Sequence, residues 1–455
     1  MLKLRAGHQM TMWDCLLPDE LRHLNDELTT VGKLLDDQIF MAPFLEKWNI
    51  KIGRPTVAVE TYLRLMYLKY RYGFGYETLV AEVNDSLQWR QFCRIPLDKR
   101  VPHSTTLIKL TQKYGDETIH ELNKALIEKA TQEKIIRTRK MRTDTTVVES
   151  NIHYPTDSQI LADGIKAITR QAKKIRQVVG ATIPAITDRC RSTKKKILAI
   201  AKVLKNRTGE AVEKVREITE ELVDKAIETV FEAHEVLNKA EESLAAKASQ
   251  SLKKRIEKLE QMVQITDKII DQTLQVSHGK KHISDRVVSV HDPDARPIQK
   301  GKLRKPTEFG YKVEITENED RIVTDFKVHV GNPSDESLLI DAVKRHIEAT
   351  GVIPEGLAAD RGYSSKANED ALKELGVKRV SIPKRGKKSA ARIYEEKQRW
   401  FRELQRYRAG GEGTISVLKR SYGLNRSLSR GHRGTSAWVG FGILAYNLKR
   451  ITALK

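Results

Sequence analysis

Three carboxylates stand out in this chain of 455 residues, each next to basic or turn-forming neighbours. Asp144 lies in Arg142-Thr143-Asp144-Thr145-Thr146, and Asp360 opens Asp360-Arg361-Gly362-Tyr363. Glu412 follows Arg408-Ala409-Gly410-Gly411 and precedes Lys419. Singly, each has an ordinary reading as a surface acid, a turn residue or a helix-start residue. Brought together, three carboxylates repel one another unless divalent cations sit between them. All-oxygen sites suit Mg²⁺, and two such ions activate an attacking oxygen and stabilise a leaving one, which is the chemistry of phosphodiester cleavage and transfer. Other acids lie close in sequence. Glu149 and Asp157 follow Asp144, while Asp292 and Asp294 read as shaping a loop with Arg296. His153, His291 and His432 have no zinc-ligand spacing.

The elements that must position these acids can be read from periodicity. Residues 14–132 have a helical rhythm broken by Gly73 and Gly75, with an N-cap cluster at Pro102-His103-Ser104-Thr105-Thr106. Short helices with tight turns suit a helix-turn-helix-like unit, and equally a plain helical bundle. Thr- and Val-rich alternation from Ile135 to Val148 predicts a strand or long hairpin carrying Asp144. Helical periodicity returns over 157–276, with apolar positions such as Leu252, Ile256, Leu259 and Val263, as in an antiparallel bundle or coiled-coil arm. Strands are expected at 286–290, 309–315, 321–330, 357–359 and 380–382, with helices at 338–349 and 368–375. That order fits a ribonuclease H-like α/β fold once 157–276 is taken as an insertion. The glycines at 410, 411 and 413 disfavour a helix interior, so a helix beginning near Gly411 is expected, with Glu412 in its first turn.

Charge narrows the partners. The chain carries 82 Lys and Arg against 60 Asp and Glu, a net +22. Residues 378–455 hold 20 basic residues and four acids, interleaved with Tyr394, Trp400, Phe401 and Leu404. Such a surface attracts a polyanion with fast, salt-sensitive association. Among the tail residues, Arg420, Arg426, Arg430 and Arg433 crowd around Gly423, Gly431 and Gly434, as expected of a phosphate-contacting loop, followed by a final apolar-faced helix. Arg54, Lys69, Arg71 and Arg100 are further phosphate-contact candidates. No apolar run reaches membrane-spanning length, the first residues do not read as a secretory signal, and three scattered cysteines exclude a disulfide framework. A cytoplasmic protein without a membrane partner is expected.

The motifs Met141-Arg-Thr-Asp-Thr-Thr-Val-Val-Glu149, Asp292-Pro-Asp-Ala-Arg296 and Ala359-Asp-Arg-Gly-Tyr363, with the spacing Arg408-x3-Glu412-x6-Lys419, resemble those of bacterial insertion-sequence DDE transposases. The last resembles that family's Y-R-E-K signature, with Gln405 at the tyrosine position. Gly53-Arg-Pro-Thr56 through Gly75-Tyr-Glu-Thr-Leu79 is similar to the family's helical N-terminal domain, and the chain looks closest to its ISNCY-type members.

The resemblance implies a ribonuclease H-like catalytic domain over 133–156 and 277–455. It also implies a DNA-binding domain over 1–132 and a helical insertion over 157–276. Asp144, Asp360 and Glu412 would hold Mg²⁺, with Mn²⁺ able to substitute. Arg408, Lys419, Arg420, Arg426, Arg430, Arg433 and Arg361 would contact DNA. The partners implied are the element's terminal inverted repeats, target DNA and a second copy of the chain, in a bacterial cytoplasm and at the nucleoid when acting. A non-catalytic DNA-binding scaffold and a ribonuclease H-like nuclease that cuts without joining are the alternatives.

Overall fold

The computed structural model describes residues 1–7, 18, 23–45, 47, 55–205, 209–246, 249–280, 282–299 and 306–454. Arg54 and Cys15 lie outside them. The chain divides into two compact units, residues 1–151 with 311–455, and residues 152–310.

In the first unit, helices lead up to the sheet. They are α1 (Asp26–Leu35), α2 (Ala42–Leu45), α3 (Val59–Tyr72), α4 (Tyr76–Asp85), α5 (Leu87–Phe92) and α6 (Ser104–Gln132). Their starts are capped where the sequence supplies an oxygen. Asn25 accepts from the Leu28 amide, and Ser86 from that of Trp89. Strand β1 (Lys140–Ser150) follows directly as one long strand, not a hairpin. After β2 (Arg296–Gln299), which lies in the second unit, come β3 (Thr307–Asn318) and β4 (Val323–His329), an antiparallel pair.

The second unit contains α7 (Asp157–Val179), α8 (Cys190–Val203), α9 (Gly209–Ala246) and α10 (Gln250–Ser277). They bury the apolar stripe that the periodicity predicts, including Leu252, Ile256, Leu259 and Val263. Helices α7 and α10 approach closely at Gly164, where a Cβ would lie 2.9 Å from Thr266 Oγ1. The strand expected at 286–290 is absent. That segment is irregular, and Gln272 takes over the backbone pairing of Val287, accepting from its amide and donating to its carbonyl at 3.0 Å each.

The rest of the chain completes the sheet of the first unit. It comprises α11 (Leu339–Thr350), β5 (Gly356–Ala358), α12 (Lys366–Glu374), β6 (Arg379–Ser381), α13 (Ala390–Lys397), α14 (Arg399–Ser421), β7 (Arg426–Ser427) and α15 (Gly431–Thr452). Strands run in the order β3-β1-β5-β6, with β4 beside β3 and β7 beside β1. β1, β5, β6 and β7 are parallel, so the sheet is mixed.

Helix α15 anchors the unit. Its Asn447 side chain pairs with both the amide and the carbonyl of Val323, and Phe441 packs edge-on against Tyr62 and stacks on Tyr70. Among the described residues, no helix is long and apolar enough to cross a membrane.

One expectation about a helix start is corrected. α14 runs unbroken from Arg399 through Gly410, Gly411 and Gly413. Gly410 and Gly411 are spacers and do not mark a start. A Cβ on Gly410 would lie 2.8 Å from Arg142 Nη1, and one on Gly411 3.0 Å from Glu317 Oε1. The helix gives up roughly 1 kcal/mol of propensity per glycine and gains close contact with a buried ion pair.

Candidate active site

Parallel pairing of β1 and β5 brings two of the carboxylates together. Lys140, Met141 and Arg142 pair with Gly356, Leu357 and Ala358, so Asp144 and Asp360 each lie two residues beyond the last paired position. Ligands and reacting groups in α/β sheets gather at such carboxyl ends of parallel strands. Asp360 leaves β5 as the cap of a short turn, its Oδ1 accepting from the Gly362 amide at 2.6 Å. Asp144 Oδ1 accepts from the Thr145 amide at 2.8 Å.

Glu412 comes to them on α14. Phe401, Leu404, Gly411, Thr414 and Leu418 are buried along that helix, which packs on β1, β5 and β6. Below the site, Arg142 forms a buried pair with Glu317, its Nε 2.7 Å from Oε1, and its guanidinium lies 4.6 Å from the Tyr407 ring centre. Burial pushes the Glu317 carboxyl up, against the lowering effect of Arg142. Gln405, at the position where the family signature has tyrosine, donates to the carbonyls of Ala359 and Ser381 at 3.3 and 2.7 Å. It ties α14 to the ends of β5 and β6, next to Asp360.

Arg408 links the first and third carboxylates. Its Nη1 lies 3.7 Å from Asp144 Oδ2 and its Nη2 3.2 Å from Glu412 Oε1. The Glu412 side chain is 70% exposed, so its end is in water. Lys419 is half-buried on the same helix, two turns further on.

Among the described residues, no three His, Cys, Asp or Glu side chains converge closely enough to hold an ion as they stand. Arg408 supplies the positive charge between Asp144 and Glu412 instead. The donor chemistry nonetheless suits a hard divalent cation, being carboxylate oxygen throughout. Tyr363 is fully buried, and its hydroxyl has no hydrogen-bond partner. Burial pushes that phenol well up, and the carboxylates of Glu314, Asp335, Asp144 and Asp360 add to the effect.

Asp335 is the acid that sequence reasoning missed. Its Oδ1 receives Lys312 Nζ at 2.6 Å and the Thr145 hydroxyl at 3.0 Å. The available signal was in β3, where Lys312 and Glu314 alternate with Tyr311, Val313 and Ile315 and are themselves buried. Glu314 is engaged by Arg345 Nη2 at 2.7 Å.

The basic candidates fall into two groups. Arg361 is exposed and lines a cavity of about 600 Å³ with Pro383, Lys384, Arg385, Gly386 and Lys388. In the tail, Arg426 Nη2 lies 3.1 Å from Glu149 and Arg433 Nε 3.2 Å from Asp116. Arg420 is exposed at the end of α14, and Arg430 stands immediately before α15. Lys69, expected to meet phosphate, is buried, its ammonium 4.1 to 4.8 Å from the ring centres of Tyr70, Tyr76 and Trp438. The side chain lies on the packed face of α3, where no strand of DNA can touch it. Arg71 is held by Glu27 at 2.7 Å.

Two family matches bear on the chain as a whole. The family described as Transposase domain (DUF772) matches residues 17–113, and the Transposase DDE domain matches residues 265–448. Both matches are to transposase domains, consistent with a bacterial insertion-sequence DDE transposase. The DDE domain implies a ribonuclease H-like fold, in keeping with the mixed sheet. Transposases of this family use divalent metals. The chain is also similar to "Uncharacterized protein ORF8 in nfe locus" of Rhizobium meliloti, 29% identical over 133 residues. That similarity covers 27% of this chain and 62% of the relative's length. No solved structure matches significantly.

Proposed function

We propose that this DDE transposase binds the ends of its insertion sequence, cleaves the phosphodiester bonds there and joins the freed 3′-OH ends to target DNA. The observation that carries the reading is the placement of Asp144 and Asp360 at adjacent carboxyl ends of parallel strands, with Glu412 brought to Asp144 through Arg408. Asp144, Asp360 and Glu412 would hold two Mg²⁺ ions, with Mn²⁺ able to substitute. Bound there, the ions supply an activated oxygen nucleophile and charge stabilisation for the leaving oxygen.

The chain's own residues do the rest. Arg408 keeps Asp144 and Glu412 oriented, and its guanidinium is suited to meeting phosphate. Lys419 and Arg420 extend the basic face of α14. Arg361 and its neighbouring lysines hold a strand next to Asp360, while Arg426, Arg430 and Arg433 contribute from the tail. No covalent enzyme intermediate is required, since water and then the DNA 3′-OH attack. Residues 1–132 are assigned to end recognition and residues 133–156 with 277–455 to catalysis, with the helices of 157–276 as an insertion that serves either dimerisation or contact with flanking DNA. Two ends must be processed together, which calls for at least a dimer on DNA.

The test is a strand-transfer reaction with DNA from the ends of the element. Joined products support the proposal. Cutting without joining would make the protein a nuclease, and binding without cutting a scaffold.

A further inference from the structure

Asp335 has two oxygens in different surroundings. Oδ1 is held by Lys312 at 2.6 Å and by Thr145, the neighbour of Asp144, at 3.0 Å. Oδ2 faces Gly362. A Cβ built there would lie 3.0 Å from Asp335 Oδ2 and 2.6 Å from Asp360 Oδ1. Two carboxylates from different loops thus flank one spot that only glycine leaves open. Like charges so close are unfavourable unless a cation or a proton lies between them.

A second observation comes from Tyr363. Its hydroxyl, next to that glycine, is fully buried without a hydrogen-bond partner, in the field of Glu314, Asp335, Asp144 and Asp360. A buried hydroxyl left unpaired costs about 1–3 kcal/mol, so its place calls for an explanation. A water or ligand shared with the carboxylates provides one.

Lys312 explains how the loop is held. Its ammonium is buried, and besides Asp335 it donates to the Pro333 carbonyl at 2.7 Å. It fixes the segment entering the turn and leaves the second oxygen of Asp335 directed at the site. A purely structural ion pair would account for Oδ1 alone. It would explain neither the direction of Oδ2 nor the orphaned Tyr363 hydroxyl.

We infer that Asp335 is a further carboxylate of the cation site, sharing a divalent ion with Asp360 across the gap at Gly362, with Lys312 as its positioning residue. The inference rests on the reading of Asp144 and Asp360 as metal ligands. It adds a donor from the β4–α11 connection, outside the three acids that the motifs single out.

The experiment measures Mn²⁺ binding to the full chain from the loss of the free-ion electron paramagnetic resonance signal, with no DNA and no turnover. D335N is expected to weaken Mn²⁺ binding about tenfold or more, in the range seen when metal ligands or their supports are removed. D144N and D360N serve as references, and thermal unfolding in chelator reports folding. If D335N unfolds, D335E decides, because it keeps a carboxylate for Lys312 and displaces the second oxygen, and it should weaken binding likewise. Mn²⁺ affinity within twofold of the parent in the folded Asp335 variant, with losses in D144N and D360N, overturns the role of Asp335 and leaves the proposed function standing. No change in any of the three removes the cation site itself.

Discussion

Arg142 lies against Gly410 so closely that a Cβ on the glycine would stand 2.8 Å from Nη1, and the same guanidinium is paired with Glu317 at 2.7 Å. Helix α14 is therefore seated on a buried charge that β1 supplies two residues before Asp144. One strand thus carries both the seat of α14 and a proposed metal ligand.

Gly410→Ala tests this seating. In an isolated helix the change would stabilise by about 1 kcal/mol. Here the methyl group meets the guanidinium, and overpacking of this kind costs roughly 1–3 kcal/mol. The midpoint of thermal unfolding should fall and DNA cleavage should drop with it. A rise in the midpoint would show that the contact with Arg142 yields easily.

Replacing Asp144, Asp360 or Glu412 by Ala should abolish cleavage and leave DNA affinity nearly intact, since carboxylates repel phosphate. Gel-shift and cleavage assays on the same preparations separate the two effects. Ca²⁺ should support binding and only weakly support chemistry. Robust cleavage in chelator would sink the metal reading.

Much of the sheet that carries the candidate acids was legible from residue patterns, and the exceptions have physical reasons. Asp144 and Asp360 could be placed on strands because Thr- and Val-rich alternation marks β1 and a short apolar run marks β5. Glu412 was singled out, but its helix start was misjudged because propensity weighs glycine locally, whereas Arg142 and Glu317 determine its use from far away in sequence. The segment 286–290 has strand-like composition, yet the Gln272 side chain takes up the pairing of Val287. Asp335 was missed because it stands in a polar turn, and the partners that point to it, Lys312 and Thr145, lie 23 and 190 residues away in the chain. Lys69 read as a phosphate contact because its type suggests exposure, while its aromatic neighbours come from three separate helices or helix starts.

That lysine carries a pH prediction. Burial pulls the Lys69 ammonium down to about 7, while attraction to the ring faces opposes the shift. A folded value below the unfolded one means that the unfolded chain holds more protons between about pH 7 and 10. Stability from this group therefore rises with pH across that window, by at most about 1.4 kcal/mol per unit. Lys69→Met should be more stable than the parent at pH 7, with the advantage shrinking towards pH 9.5. Denaturant unfolding at both pH values measures it. An advantage that stays constant with pH would mean that the aromatic cage keeps the lysine charged.

The DNA path can be tested by comparing the two basic groups. Arg361, Lys384, Arg385 and Lys388 line one cavity beside Asp360. In the tail, Arg426 and Arg433 already face Glu149 and Asp116 at 3.1 and 3.2 Å. Neutralising a side chain that binds phosphate should flatten the dependence of log affinity on log salt by about one unit. Neutralising the four cavity residues together should therefore flatten the slope more than neutralising Arg426, Arg430 and Arg433, because freeing Glu149 and Asp116 changes the tail's local charge while freeing fewer phosphates. Both variants should weaken binding to terminal-repeat and random DNA alike, as expected of side chains that meet phosphate without reading bases. Filter binding from low to moderate salt gives the slopes. A steeper loss from the tail triple would place the bound strand along β7 and the start of α15. Equal, unchanged slopes would move it away from both surfaces.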